Sequence, residues 1–155
     1  MADRTSLMAH KRKSIGDVAV DGLFAGMTAG LAMAAVLLVL GLVSGASVTE
    51  TLGRFDPGSS RSAVVGALLH LAVSGLYGSL FALVYRPLRG RLPVLDRAGW
   101  LAGVAYGLAL WLGAQLVLLP GLNAGLIGIA PWQFAVGHVV YGAILAYALE
   151  RHAVG

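Results

Sequence analysis

The chain contains no cysteine. That single absence excludes disulfides, thiolate metal sites, iron–sulfur clusters and covalent c-type haem attachment. Charge is nearly as scarce. Only 12% of the 155 residues are Asp, Glu, Lys or Arg, against about a quarter in soluble proteins. So few charges cannot cover a water-facing surface, and hydrocarbon becomes the expected solvent for the 58% of residues that are hydrophobic. Period-2 alternation is missing as well, which argues against strands spanning a membrane. No serine–histidine–aspartate arrangement, metal-hydrolase spacing or glycine-rich phosphate loop occurs, so no catalytic residue and no metal ligand is assigned and no enzymatic activity is expected.

What the sequence does have is long uncharged apolar runs, at 22–43, 63–85, 98–119 and 132–149. Each is close to the roughly 20 apolar residues that cross a hydrocarbon core as a helix. The expected fold is an all-α membrane protein. Residues 1–15 form a basic amino-terminal tail, and residues 16–151 form a four-transmembrane-helix bundle with helices over about 18–43, 63–85, 98–119 and 132–150. The first apolar run is too long for a signal-peptide core of about 7–15 residues, so it is read as a retained helix.

Basic residues set the expected orientation. Arg4, Lys11, Arg12 and Lys13 precede the first span, Arg86, Arg89, Arg91 and Arg97 sit between the second and third, and Arg151 follows the fourth. Only Arg54 and Arg61 lie on the other side. Nine of the eleven basic residues therefore share one face, which is expected to be cytoplasmic, with both termini inside and the chain in the cell inner (plasma) membrane. The net charge of +4 is then a topology signal and an attraction to anionic lipid headgroups, not a nucleic-acid surface.

The sequence also repeats itself. Residues 22–32 and 99–109 match at six positions without a gap, and Tyr77-Gly78 with Ala82 echoes Tyr141-Gly142 with Ala146. Two helical hairpins of the same orientation, a parallel repeat about an axis along the membrane normal, are the expected architecture. Small residues recur every four positions: Gly22, Gly26 and Gly30 on the first helix, Gly99, Gly103 and Gly107 on the third, with Gly78 and Gly142 on the helices that follow. Such small-x-x-x-small faces let helix backbones approach closely, and a glycine-zipper packing role is expected for all eight.

His70 and His138 need a separate explanation, because ionisable groups inside a bilayer are rare and usually face the bundle interior. His70 shares an i, i+4 stripe with Gly66, Ser74, Gly78 and Ala82, and His138 shares one with Gly142, Ala146 and Glu150. His70 precedes Arg86 by sixteen positions and His138 precedes Arg151 by thirteen, so the two sit at depths only about 5 Å apart. Ser74, Gln115 and Trp111 are expected to complete a polar intramembrane layer with them. Three readings compete: neutral, hydrogen-bonded packing residues; axial ligands of a b-type haem held between the second and fourth helices; or a proton or small-solute path. Asp17 and Asp21, behind the possible cap Ser14, read as carboxylates complementing a helix N-terminus and pairing with Lys13. The external connections supply a capping pattern at Ser47 to Glu50, a turn at Asp56-Pro57-Gly58, and an apolar, uncharged stretch from Pro120 to Pro131 suited to docking a partner.

The glycine-rich helix 99–107 ending in Trp111 and Pro120-Gly121, the Gly137-His138-Val-Val-Tyr141-Gly142 segment, and His70 with Tyr77-Gly78 resemble the YagU-like inner-membrane proteins and related small bacterial and archaeal families of unknown function. The likeness covers most of residues 63–151. It implies a polytopic membrane protein with paired membrane histidines, and no reaction. The leading functional expectation is a non-catalytic accessory or structural subunit of a larger membrane complex, such as a respiratory or other energy-transducing one, whose partners are lipid, other membrane subunits or copies of itself, and which needs no cofactor. The alternatives are a bis-histidine haem b electron carrier using His70 and His138, and then a solute or proton transporter.

Overall fold

The computed structural model describes residues 13–121 and 128–151. Arg4, Lys11 and Arg12 of the basic tail, and most of the apolar connection from Pro120 to Pro131, lie outside the described residues. Every element among the described residues is helical.

Helix α1 spans Ile15–Val43. Its start is fixed by reciprocal capping: the Asp17 backbone N–H donates to Ser14 Oγ at 3.1 Å, and the Ser14 N–H donates to the Asp17 carboxylate at 2.8 Å. Asp21, one turn on, accepts from Lys13 at 2.9 Å as expected. It also accepts from Arg86 on another helix at 2.7 Å. The far end closes where Gly45 takes a left-handed φ of 85°, letting the Gly45 N–H reach Leu42 O and the Ala46 N–H reach Gly41 O, which occupies carbonyls the helix would otherwise leave open.

A short helix α2, Val48–Gly53, follows. Ser47 caps it by accepting from the Glu50 N–H at 3.1 Å. The Glu50 carboxylate pairs forward with Arg54 at 3.2 Å, so only half of the expected capping box forms. Asp56 then organises the turn, accepting from the Gly58 N–H at 2.8 Å, the Ser62 N–H at 2.7 Å and the Ser60 hydroxyl at 3.2 Å. Those backbone donors hold its carboxyl below the ordinary value of 3.8.

Helix α3 spans Ala63–Arg89, one turn beyond the expected end at 85. Pro87 sits in the last turn, where it removes one backbone donor without breaking the helix. Helix α4, Val94–Gly113, begins four residues before the expected 98 and bends at Ala98, whose φ of −130° and ψ of 29° are not helical. It does not run unbroken to 119. Residues Ala114–Leu118 form a wider π-helical turn, and Leu119–Gly121 is a last short helical turn, α5. Helix α6 covers Pro131–Arg151, where a proline in first place costs no helical hydrogen bond.

Four of these stretches, of 29, 27, 25 and 21 residues, are long and apolar enough to cross a membrane. Their outer surfaces agree: Phe24, Leu31, Val39 and Leu42 on α1 are all more than half exposed. A surface of this kind is stable against hydrocarbon and would aggregate in water.

The helices pack in pairs. α1 lies against α3, α4 against α6, and the pairs join along α1 and α6, while α3 and α4 touch little. Glycine explains the tight seams. A Cβ on Gly22 would overlap Gly78 O and Ala82, and one on Gly26 would overlap Ser74 O. Across the other seam, a Cβ on Gly103 would overlap Gly142 O and one on Gly107 would overlap His138 O. Gly99 makes room for Tyr85 and Glu150, whose side chains hydrogen-bond at 3.1 Å.

Candidate functional site

Glycine lets two pairs of backbones come together, and α3 and α4, whose Gly78, Gly103 and Gly107 are used in those seams, are left facing each other across a gap. Tyr106 of α4 crosses that gap at one level, donating to Tyr77 O at 2.9 Å and packing on Phe81 with ring centroids 4.9 Å apart. Above this bridge, towards α2, lies a cavity of about 220 Å³.

Its back wall is Met33 of α1 with Phe134, His138 and Tyr141 of α6, all buried. His70, Ser74 and Tyr77 line the α3 side, and Leu110, Ala114 and Leu118 the opposite side. Phe55, from the turn after α2, covers one end and lies against His70, with ring centroids 4.5 Å apart and the planes inclined at 43°. The lining also includes Leu69, Val73 and Leu118, which are 39%, 45% and 45% exposed. Those three mark the mouth. It opens sideways, between α3 and α4, onto the same apolar surface that suits lipid.

The cavity carries few polar groups, and the two imidazoles and the Tyr141 hydroxyl already have partners. His70 Nε2 is 3.0 Å from the Gly30 carbonyl of α1. His138 Nδ1 is 2.9 Å from the Phe134 carbonyl one turn back on its own helix. Tyr141 donates to Ser74 O at 2.7 Å, tying α6 to α3. His70 and His138 each stand seven residues past the first residue of their helix, Ala63 and Pro131, about 10 Å along the axis. Both imidazoles border one cavity, with Ser74 beside them.

Two members of the expected layer are elsewhere. Trp111 donates its indole N–H to Pro131 O at 3.1 Å, fastening α4 to the start of α6. Gln115 is half-buried but does not line the cavity. Leu110, Ala114 and Leu118 form the i, i+4 stripe that lines the cavity, and Trp111 and Gln115 each stand one residue round the helix from it. Ser74 is buried in the expected stripe.

As arranged, the residues do not fit a haem. Pockets for drug-sized ligands run roughly 300–1,000 Å³, and this one is smaller than that range although a haem exceeds such ligands. His70 Nε2 is also occupied by Gly30 O. Among the described residues, no group of three or more His, Asp or Glu side chains could hold a metal ion.

Compared with known families, residues 16–154 match DUF6789, described as a family of unknown function. The chain belongs to DUF6789. No curated protein and no solved structure matched it. The match does not confirm the YagU-like resemblance; the DUF6789 assignment carries the same expectation of a family without an assigned activity. For this DUF6789 chain the geometry adds Met33, Phe55, Tyr77, Phe134 and Tyr141 to the residues around the histidines. Tyr77 and Tyr141 follow His70 and His138 at i+7 and i+3, a same-face signal present in the sequence. Phe55 comes from a turn, and no periodicity points to it.

Proposed function

We propose that this protein binds a small lipophilic molecule taken laterally from the bilayer, holding its polar end beside His70 and His138. The observation that carries the reading is the sideways mouth at Leu69, Val73 and Leu118 leading to a buried, histidine-bearing wall. A water-soluble ligand would not approach through lipid-facing leucines. A cavity of about 150 Å³ is known to take benzene, so the present volume suits a single ring or short chain, with any longer tail leaving through the mouth. Binding alone is required, and the reading is non-catalytic.

The π-helical turn supports it, since such turns recur at functional sites and this one supplies part of the lining. The test uses Val73→Trp, which plugs the mouth from a lipid-exposed position. Protein purified in lipid nanodiscs should retain a small molecule detectable by native mass spectrometry, and the plugged variant should lose it while unfolding at the same temperature. Equal occupancy in both would overturn the reading.

The finer architecture belongs to the same proposal. Matching glycine contacts in the α1/α3 and α4/α6 seams support a duplicated hairpin, and the shared face of nine basic residues supports cytoplasmic termini in the inner membrane. The accessory-subunit reading rested on the lack of catalytic constellations, the almost loop-free build and the glycine packing faces. Those faces are occupied within the chain, and this moves the weight to a bound small molecule.

A further inference from the structure

We infer that the crevice selects a ligand that donates a hydrogen bond, an alcohol or phenol, over the matching ether or carbonyl compound. The inference rests on the lateral-binding reading and follows from where each polar group in the cavity has already placed its proton.

A backbone carbonyl only accepts. His70 Nε2 faces Gly30 O, so in the neutral ring Nε2 carries the hydrogen and Nδ1 is left as an acceptor. At His138 the arrangement is reversed. Nδ1 faces Phe134 O, so Nδ1 carries the hydrogen and Nε2 is the acceptor. Tyr141 likewise uses its O–H on Ser74 O, leaving oxygen lone pairs. Three separate carbonyls, on α1, α6 and α3, thus remove the fixed donors from the cavity. The hydroxyls of Ser74 and Tyr77 rotate to suit either kind of partner and do not discriminate. The two imidazoles do.

A ligand hydroxyl placed against this wall completes a hydrogen bond. Against either imidazole, an ether or ketone oxygen would set acceptor against acceptor and forfeit the bond that a ligand hydroxyl makes there. The apolar remainder of the cavity, from Met33, Leu110 and Phe134, suits an aromatic ring of the volume available.

Two measurements test this. In protein labelled with ¹⁵N-histidine, with signals assigned by His70→Gln and His138→Gln, the neutral rings should show opposite tautomers: Nε2–H for His70 and Nδ1–H for His138. The same tautomer at both sites overturns the inference, whatever binds. Ligand-observed saturation-transfer NMR on nanodiscs, against empty nanodiscs, then compares 4-ethylphenol with its methyl ether. The phenol should bind about tenfold more tightly, with the preference lost in the His70→Phe/His138→Phe double variant. Equal or tighter binding of the ether overturns donor selectivity while leaving lateral binding standing. Binding of neither probe, with no effect of Val73→Trp, overturns the crevice itself, and the tautomers still report on the proton placement.

Discussion

The α4/α6 seam and the α3/α4 seam are built from helices of similar length and similar apolarity, yet one is closed and the other holds a cavity. In the closed seam the crossing point has no side chain: Gly103 and Gly142 bring backbone against backbone, and Gly107 admits the His138 carbonyl. In the open seam, α3 presents Leu69 and Val73 and α4 presents Leu110 and Ala114. Beside the cavity Tyr106 reaches across to Tyr77 O, and at the far end of the seam Arg89 pairs with Asp96 at 3.0 Å. In lipid, apolar side chains gain nothing by leaving the solvent for a protein neighbour, so backbone proximity and interhelical hydrogen bonds decide which helices associate. Where neither is available, a gap persists, and a ligand can use it.

Enlarging a residue at the closed crossing tests this most severely. Gly142→Val drives side-chain atoms into Gly103 O, with no flexible neighbour to yield. It should cost about 3 kcal/mol or more, read as loss of folded protein in thermal unfolding in mild detergent. Survival of that variant at wild-type stability would remove the distinction between the seams.

The bridge across the open seam should matter less. Tyr106→Phe deletes one interhelical hydrogen bond and should destabilise by about 1 kcal/mol, while enlarging access to the cavity and raising occupancy by a lipophilic probe. A loss as large as that of Gly142→Val would mean that the α3/α4 contact organises the bundle.

A smaller change, of opposite sign, is expected at Gly113. It ends α4 beside the π-helical turn, and a Cβ there meets nothing within 4 Å. Gly113→Ala should stabilise by about 0.5 kcal/mol through helix propensity. Destabilisation would show that the turn needs glycine.

The turn that carries Phe55 over His70 can be loosened by acid. The Asp56 carboxyl is held below its ordinary value of 3.8, first by the Gly58 N–H and then by that of Ser62. A depressed folded value means that the carboxylate stabilises the turn fully above pH 3.8 and that this is lost as pH falls through the lower folded value. Protection of the Gly58 and Ser62 amides, relative to free-peptide exchange at the same pH, should therefore hold from neutrality to about pH 4 and fall below it, and Asp56→Asn should abolish that pH dependence. Protection that did not respond to acid would separate the turn from its carboxylate.

Much of this was readable residue by residue. The four spans follow from composition, because an apolar stretch of this length has one economical conformation in hydrocarbon. Ser14, Ser47 and Asp56 announced helix starts and a turn through chemistry local to a few residues. The histidine stripes followed from i, i+4 spacing. Trp111 and Gln115 were misplaced because spacing alone does not say which face of the third span turns to the cavity: Leu110, Ala114 and Leu118 line it, and each of the two polar residues stands one position round the helix. The pairing of Asp21 with Arg86 was hidden for a different reason: its partners are 65 residues apart.

By itself, then, the sequence determined four apolar rods suited to hydrocarbon and the faces on which the glycines and the two imidazoles stand, all consequences of local spacing and transfer energy. Only the tertiary structure decided which rods pair, where the gap falls, and which nitrogen of each ring keeps its proton. Those depend on carbonyls supplied by helix packing, and the order of residues along a chain does not specify which carbonyl a ring will meet.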